Sequence, residues 1–215
     1  MEWRNKLLKL VEEKVKSDST GHSISHLLRV ENYALRIAEL EDKKLDKEVI
    51  SAVCLIHDVG RMDEFKGIDH IETGIKFAEE WLPKINFPTE KMPKEIEGIK
   101  LHEQRVGDKN KTEPKYKETL VVQDADKLEF IGAIGIARGF QFAGAHNIPL
   151  YNPNHEDKPY SYKALETVQS EVHHIKKSMI EKGFNTKTAE KLAKNRVEFV
   201  KKFIKQFVDE WEGRE

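Results

Sequence analysis

Cysteine is almost absent from this chain of 215 residues, since Cys54 is the only one. A single cysteine cannot form an intramolecular disulfide, and it excludes a metal site built from several thiolates. Long apolar runs are absent too, and the mean hydropathy of −0.66 predicts no membrane span. An excess of either charge is also missing, because 37 Lys and Arg residues balance 38 Asp and Glu residues. This balance provides no overall attraction for polymeric nucleic acid or for an anionic membrane.

The N-terminal segment MEWRNKLLKL is charged and lacks the apolar centre of a signal peptide, so we expect a cytoplasmic location. What the chain does contain is nine histidines. Because a cluster of thiolates is excluded, a bound metal would have to use histidine, aspartate and glutamate. Such ligands suit Mn, Fe, Co, Ni or Mg more than they suit the zinc of thiolate sites.

Helices are expected along almost the whole chain, because seven prolines and 12 glycines leave long stretches uninterrupted. Apolar residues recur at helical spacing, most clearly between Ala189 and Trp211, and no strand-like alternation is sustained. The pattern predicts an all-α fold, a single helical bundle over residues 1–215. The expected parts are a core over about residues 17–144, a loop or lid over 145–160 and C-terminal helices over 161–212.

Prolines predict two interruptions in this helical pattern. Pro83 is expected to stop the helix that contains Ile71 to Leu82, and three prolines predict a loop over residues 83–93. Residues 145–160 contain three prolines and three asparagines, which favours a surface loop that borders a binding site.

Four residues have the chemistry of metal ligands: His26 in GHSISHLLRV, His57 and Asp58 in AVCLIHDVGR, and Asp126 in VVQDADKLEF. Asp58 follows an apolar stripe, and its charge would be costly if buried unless a metal neutralised it. Adjacent residues of a helix point in different directions, so His57 and Asp58 could share an ion only near a helix end. Taken singly, such residues are more often core histidines and helix-capping aspartates.

In this order and setting, the four residues resemble the H…HD…D pattern of the HD-domain superfamily of metal-dependent phosphohydrolases. The match is closest to the branch of small predicted HD-superfamily hydrolases. The motifs that carry it are GHxxxHxxRV, LxHDxGR and the segment QDADKLEFIGAIGIARGF, and the resemblance runs from about residue 17 to residue 212. It implies a helical bundle with the metal site between its central helices, held by the ligands His26, His57, Asp58 and Asp126.

The last ligand has two candidates, Asp124 and Asp126. The resemblance favours Asp126, because the family's aspartate usually stands directly before Lys or Arg, and Lys127 follows here. Two aspartates spaced by two cannot point the same way on a helix, so Asp124 would hydrogen-bond around the ligands. His22 is expected either to order the turn before His26 or to cover the metal.

His70 and His102 leave the number of metal ions open. Binuclear members of the superfamily have two histidines between the HD doublet and the final aspartate, whereas mononuclear members place substrate-contacting residues there. The resemblance therefore implies either a second metal or substrate contact at His70 and His102. The implied cofactor is one divalent ion or two, of Mn, Fe, Co, Ni or Mg.

A divalent ion in such a site would lower the pKa of bound water toward about 7. Asp58 or a neighbouring histidine could accept the proton of this water, and Asp63 and Glu64 are the nearest other acids after the doublet. The expected phosphate contacts are Lys127 and Arg61, and the weaker candidates are Arg29 and Arg138.

The function implied by the resemblance is hydrolysis of a phosphate ester or anhydride in a small phosphorylated substrate, with a nucleotide as the favoured class. Two alternatives stay open. One is a di-iron oxygenase that uses the same ligand set, and the other is a nucleotide-sensing module with little turnover. No membrane or polymeric nucleic-acid partner is expected, and a homodimer is a further expectation.

Overall fold

The computed structural model describes residues 2–151 and 183–214. These residues form eight α-helices and no β-strand, which confirms the all-α prediction. The helices are Glu2–Val15 (α1), Ile24–Glu41 (α2), Lys47–Ile56 (α3), His70–Lys84 (α4), Met92–Leu101 (α5), Lys117–Glu129 (α6), Gly132–Ala145 (α7) and Lys187–Trp211 (α8). The single domain over 1–215 stays a prediction. The later part of the expected lid and the start of the expected C-terminal helices, residues 152–182, lie outside the described residues.

Helix α3 is the centre of the bundle. Every residue from Val49 to Ile56 is buried, and the helix contacts α1, α2, α5 and α6. Such a helix has apolar side chains on all its faces, as expected for a segment without a polar side. Asp46 caps its start by accepting hydrogen bonds from the backbone N–H groups of Glu48 and Val49. The end of α3, where His57 and Asp58 follow, therefore lies in the middle of the molecule.

A close approach between backbones brings α4 against the end of α3. A Cβ atom at Gly60 would lie 2.6 Å from the carbonyl oxygen of His70 and 2.7 Å from Cβ of Thr73. Only glycine permits this contact. A 3-10 helix, Arg61–Lys66, covers the distance between the two helices. Gly60 thus places His70, the first residue of α4, beside the HD doublet.

The proline-rich segment is more helical than predicted. Pro83 does not stop α4, which continues to Lys84 before Asn86 takes a positive φ of 61°. A proline so close to a helix end disturbs only its last turn. The loop expected over residues 83–93 contains a 3-10 helix, Thr89–Lys91, and α5 already begins at Met92. Proline is well tolerated in the first turn of a helix, because its missing N–H has no partner to lose there.

Candidate metal centre

The four predicted ligands meet where three helices converge. His26 lies on α2, Asp126 lies on α6, and His57 and Asp58 directly follow α3. Nε2 of His26 and Nε2 of His57 each lie 3.4 Å from Oδ2 of Asp58. Oδ1 of Asp126 lies 3.7 Å from Nε2 of His26. One ligand atom from each of the four residues lies within 4.8 Å of the others, so the structure forms one compact cluster.

A second cluster shares Asp58 with the first. His70 begins α4 and His102 follows the last residue of α5. Nε2 of His102 lies 3.5 Å from Oδ1 of Asp58, and Nε2 of His70 lies 3.9 Å from the same oxygen. Oδ2 of Asp58 faces the first cluster and Oδ1 faces the second. A single carboxylate thus stands between two groups of histidines.

The histidines at two helix ends are oriented in the same way. Nδ1 of His57 lies 2.9 Å from the carbonyl oxygen of Cys54, and Nδ1 of His102 lies 2.7 Å from that of Ile99. Both carbonyls stand three residues earlier, at the end of a helix where carbonyls lack helical partners. A carbonyl only accepts hydrogen bonds, so Nδ1 of each ring carries a proton, and in the neutral ring Nε2 presents a lone pair to the cluster.

Whether the site fits a metal ion can be judged from the nitrogens that point into the two clusters. Nε2 atoms of four buried histidines have no hydrogen-bond partner among the described residues, and the rings belong to His26, His57, His70 and His102. Unpaired polar atoms at such depth are costly. Each of these nitrogens faces an oxygen of Asp58. Where Nε2 of a neutral ring has the lone pair, a hydrogen-bond donor or a cation is required between the two atoms. An all-nitrogen and oxygen donor set of this kind fits a divalent metal ion.

Arg61 contacts the second cluster and several carboxylates. Its Nε donates to Oδ1 of Asp58 at 2.8 Å, and its terminal nitrogens contact Glu64 and Glu103. Glu64 also accepts from Nδ1 of His70 at 2.6 Å. Burial would raise the pKa of Glu103, but Arg61 and the nearby histidines lower it to about 2. The sequence analysis singled out Arg61 and Glu64 but missed Glu103, because only the packing of α5 brings it to Arg61.

Two charged partners of the ligands were not predicted. Arg105 donates to Oδ2 of Asp126 at 2.6 Å, and this contact holds the pKa of Asp126 below its ordinary value against the effect of burial. Glu129 is buried, and its Oε2 lies 3.7 Å from Nδ1 of His26 and 2.6 Å from Nε of Arg29. Helical spacing could have revealed Glu129, which stands three residues after Asp126 and shares its helix face. No pattern in the sequence distinguishes Arg105 from other cations.

Two predicted site residues, Asp124 and Lys127, contact the segment before α8. Oδ2 of Asp124 accepts from the backbone N–H and the hydroxyl of Thr186, both at 2.7 Å, and these bonds anchor the start of α8. Nζ of Lys127 donates to the carbonyl of Gly183 at 2.9 Å and lies 4.5 Å from the ring centre of Phe184. Phosphate binding by Lys127 stays a prediction, and so does a hydrogen-bonding role of Asp124 around the ligands.

The remaining candidates surround the clusters. The predicted weak phosphate contacts are both engaged with protein groups, Arg29 with Glu129 and Arg138 with the carbonyl of Gly21 at 2.7 Å. Asp63 pairs with Lys14 and Lys66 and lies outside both clusters.

His22 lies at the edge of the first cluster. Its Nε2 is 3.9 Å from Oδ2 of Asp58, and its ring centre is 5.7 Å from that of His26. Burial lowers the pKa of His22 well below the ordinary value for histidine. Beyond His22, the rings of Phe142, His146 and Phe65 follow one another at 3.9 and 4.8 Å, and His146 belongs to the described part of the expected lid.

Comparison with known families shows a match over about half of the chain. The family model described as HD domain matches residues 23–131, a range that contains all four predicted ligands of the first cluster. The resemblance derived from the motifs is thereby confirmed. Among the described helices, none combines the length and the apolar character needed to cross a bilayer.

Similar proteins are found over nearly the full length of the chain. Bacillus subtilis YpgQ is 31% identical over 196 residues, which is 91% of this chain and 87% of YpgQ. The crystal structure of YpgQ in complex with ADP has a TM-score of 0.70 and 28% identity, with 99% of this chain and 100% of that chain covered. A predicted HD superfamily hydrolase from an uncultured Thermotogales bacterium has a TM-score of 0.63 and 29% identity, with 96% of this chain and 92% of that chain covered.

Proposed function

Because the chain belongs to the HD-domain family, we propose that it is a metal-dependent phosphohydrolase that acts on a small phosphorylated molecule, with nucleotides as the substrate class. One observation carries the proposal: four buried Nε2 atoms without a hydrogen-bond partner among the described residues converge on the carboxylates of Asp58 and Asp126. The ADP bound to the similar protein YpgQ supports a nucleotide, since the two chains align over nearly their whole length. Hydrolysis of an ester or of an anhydride bond is compatible with this site.

In this proposal, His26, His57, Asp58 and Asp126 hold the first divalent ion. Such an ion supplies a polarised phosphoryl oxygen and a bound water with a lowered pKa. The protein contributes orientation: the carbonyl of Cys54 sets the ring of His57, and Arg105 sets the carboxylate of Asp126. Asp58 is the proposed acceptor for the proton of the attacking water. The oxygen of that water bonds to phosphorus as the bond to the leaving oxygen breaks.

The second cluster is better suited to a cation than to direct contact with phosphate. Nδ1 of His70 lies 2.6 Å from Oε1 of Glu64 and 3.3 Å from a terminal nitrogen of Arg61, so the shorter contact makes it the donor to Glu64. Nδ1 of His102 faces a carbonyl, so both rings, when neutral, direct lone pairs inward. Lone pairs repel phosphate oxygens. We therefore propose that His70, His102 and Oδ1 of Asp58 hold a second divalent ion. Arg61, the cation that contacts this cluster, is the proposed phosphate contact.

Elemental analysis and phosphate release test the proposal together. The purified protein is expected to contain two divalent ions per chain, and to release phosphate or pyrophosphate from nucleotides with Mn, Co or Mg. A single ion per chain would contradict the second site. His57→Ala and Asp58→Asn are expected to remove the metal and the activity while the helical content is kept. Asp42→Asn, a partly exposed aspartate before α3, is the matched control. Full metal content in His57→Ala would show that the site is wrongly assigned.

A di-iron oxygenase is the second candidate, and the shared position of Asp58 between two histidine clusters favours it. Aerobic turnover of an organic substrate by the iron-loaded protein, with no phosphate release under any metal, would support this candidate. Tight nucleotide binding without release of phosphate over hours would instead support a sensing module.

A further inference from the structure

The turn before α2 holds His22 through hydrogen bonds that start at Asp18. Oγ1 of Thr20 lies 2.6 Å from Oδ1 of Asp18 and 2.8 Å from Nδ1 of His22. Oδ2 of Asp18 accepts from the backbone N–H groups of Gly21 and His22 at 3.1 and 2.8 Å. Thr20 is buried, so water does not compete readily for its hydroxyl. Asp18, Thr20 and His22 thus form an ordered chain of side chains.

The backbone of the same turn is held from its other side. Gly21 has a φ of 91°, in the left-handed region that other residues rarely adopt. Its carbonyl accepts from Nε of Arg138, which lies on α7. The position of the His22 ring is therefore set by the turn itself and by a neighbouring helix.

The direction of these hydrogen bonds determines which nitrogen of His22 carries the proton. The hydroxyl of Thr20 has one hydrogen, and the carboxylate of Asp18 can only accept it. Oγ1 of Thr20 must then accept from Nδ1 of His22. In the neutral ring that this hydrogen bond selects, Nε2 has the lone pair.

That lone pair is directed toward an oxygen of the candidate metal centre. Nε2 of His22 lies 3.9 Å from Oδ2 of Asp58, the oxygen that also faces His26 and His57. Two acceptors at this separation are unfavourable unless a hydrogen-bond donor or a cation lies beside them. Unlike the four inward histidines, His22 is partly exposed and stands at the rim of the first cluster.

We propose that Asp18 and Thr20 are positioning residues that hold His22 in its Nδ1–H form, so that Nε2 accepts a hydrogen bond from the attacking water. The role for water rests on the proposed phosphohydrolase function. The hydrogen bond directs one proton of the water toward His22 and leaves an oxygen lone pair for phosphorus. No proton is transferred to His22 in this interaction, and Asp58 remains the proton acceptor.

The protonation of the ring is measured without any metal or substrate. Long-range ¹⁵N–¹H spectra of the metal-free protein identify His22 by comparison with His22→Gln. We expect a protonated Nδ1 and a bare Nε2 in the wild-type protein and in Thr20→Ser, and loss of this pattern in Thr20→Val. Thr119→Val is the matched control, because Thr119 is also buried and its hydroxyl also donates to a carboxylate, that of Glu97. A proton on Nε2 in the wild-type protein would overturn the proposal even if no variant folds.

Kinetics test the consequence for the reaction. Thr20→Val is expected to lower kcat about tenfold and to change KM less than about twofold, because the lost hydrogen bond orients water rather than substrate. Thr20→Ser is expected to restore kcat, and all variants should retain wild-type metal content. An unchanged kcat in Thr20→Val would overturn the positioning role alone. Failure of the wild-type protein to hydrolyse any phosphate substrate would overturn the proposed function, and the role for water with it.

Discussion

Glu95 is a buried acid whose removal should stabilise the protein. It lies on the first turn of α5, its side chain is fully buried, and neither carboxylate oxygen has a hydrogen-bond partner among the described residues. Burial raises the pKa of Glu95 well above its ordinary value of 4.5. Its helix, α5, packs against α3.

The size of the stability change caused by Glu95 follows from proton linkage. The unfolded chain loses the Glu95 proton near pH 4.5, whereas the folded protein keeps it to a much higher pH. The contribution to stability is therefore complete below pH 4.5 and is lost as the pH rises toward the folded pKa. Each pH unit between the unfolded and the folded pKa costs about 1.4 kcal/mol, so the stability of the wild-type protein falls as the pH rises through this window.

Urea unfolding of the metal-free protein at pH 5, 6 and 7 measures this loss. We expect Glu95→Gln to gain stability over the wild-type protein as the pH rises, because the glutamine side chain does not titrate. The effects of all other titrating groups on stability cancel when the variant is compared with the wild-type protein. Glu79→Gln, at an exposed position, is the control. A difference between Glu95→Gln and wild type that stays constant from pH 5 to pH 7 would refute the reasoning.

Three further predictions follow from named contacts. Arg105→Gln should weaken metal binding about 10- to 100-fold, because Asp126 loses the cation that orients it; unchanged affinity in a metal titration would contradict this. Gly60→Ala should destabilise the fold by about 2 to 3 kcal/mol, because its Cβ would clash with the carbonyl of His70; a wild-type urea midpoint would be inconsistent with that clash. Cys54 should resist thiol reagents in the native protein and react after unfolding, because it is fully buried and burial raises the pKa of its thiol; rapid labelling of the native protein would show otherwise.

The helices and the first cluster could be predicted because both depend on order along the chain. Apolar spacing identified α3 and α8, and the ordered motif identified His26, His57 and Asp58 before any contact was known. The prediction was less accurate at Pro83, where a helix tolerates a proline near its end. The helix-breaking tendency of a single proline does not predict where a helix ends when packing against the rest of the protein extends that helix.

The direction of side chains could not be predicted in the same way. Asp124 and Asp126 are equally suited to bind a metal by residue type, but Asp124 bonds to Thr186 and Asp126 faces His26. Arg105 is one of 37 cations, and only the fold brings it to Asp126. Such partners are far apart in the chain, so no local pattern contains them.

The sequence by itself determined the helical class and the residue types of the candidate metal centre, because amphipathic spacing and ligand chemistry are properties of short segments. The tertiary structure decided that Asp58 faces two clusters and that His70 and His102 join the second one. It also brought together Asp18, Thr20 and His22 in a defined hydrogen-bond order. The physical reason is that a ligand's lone pair has a direction, and packing between distant helices sets that direction.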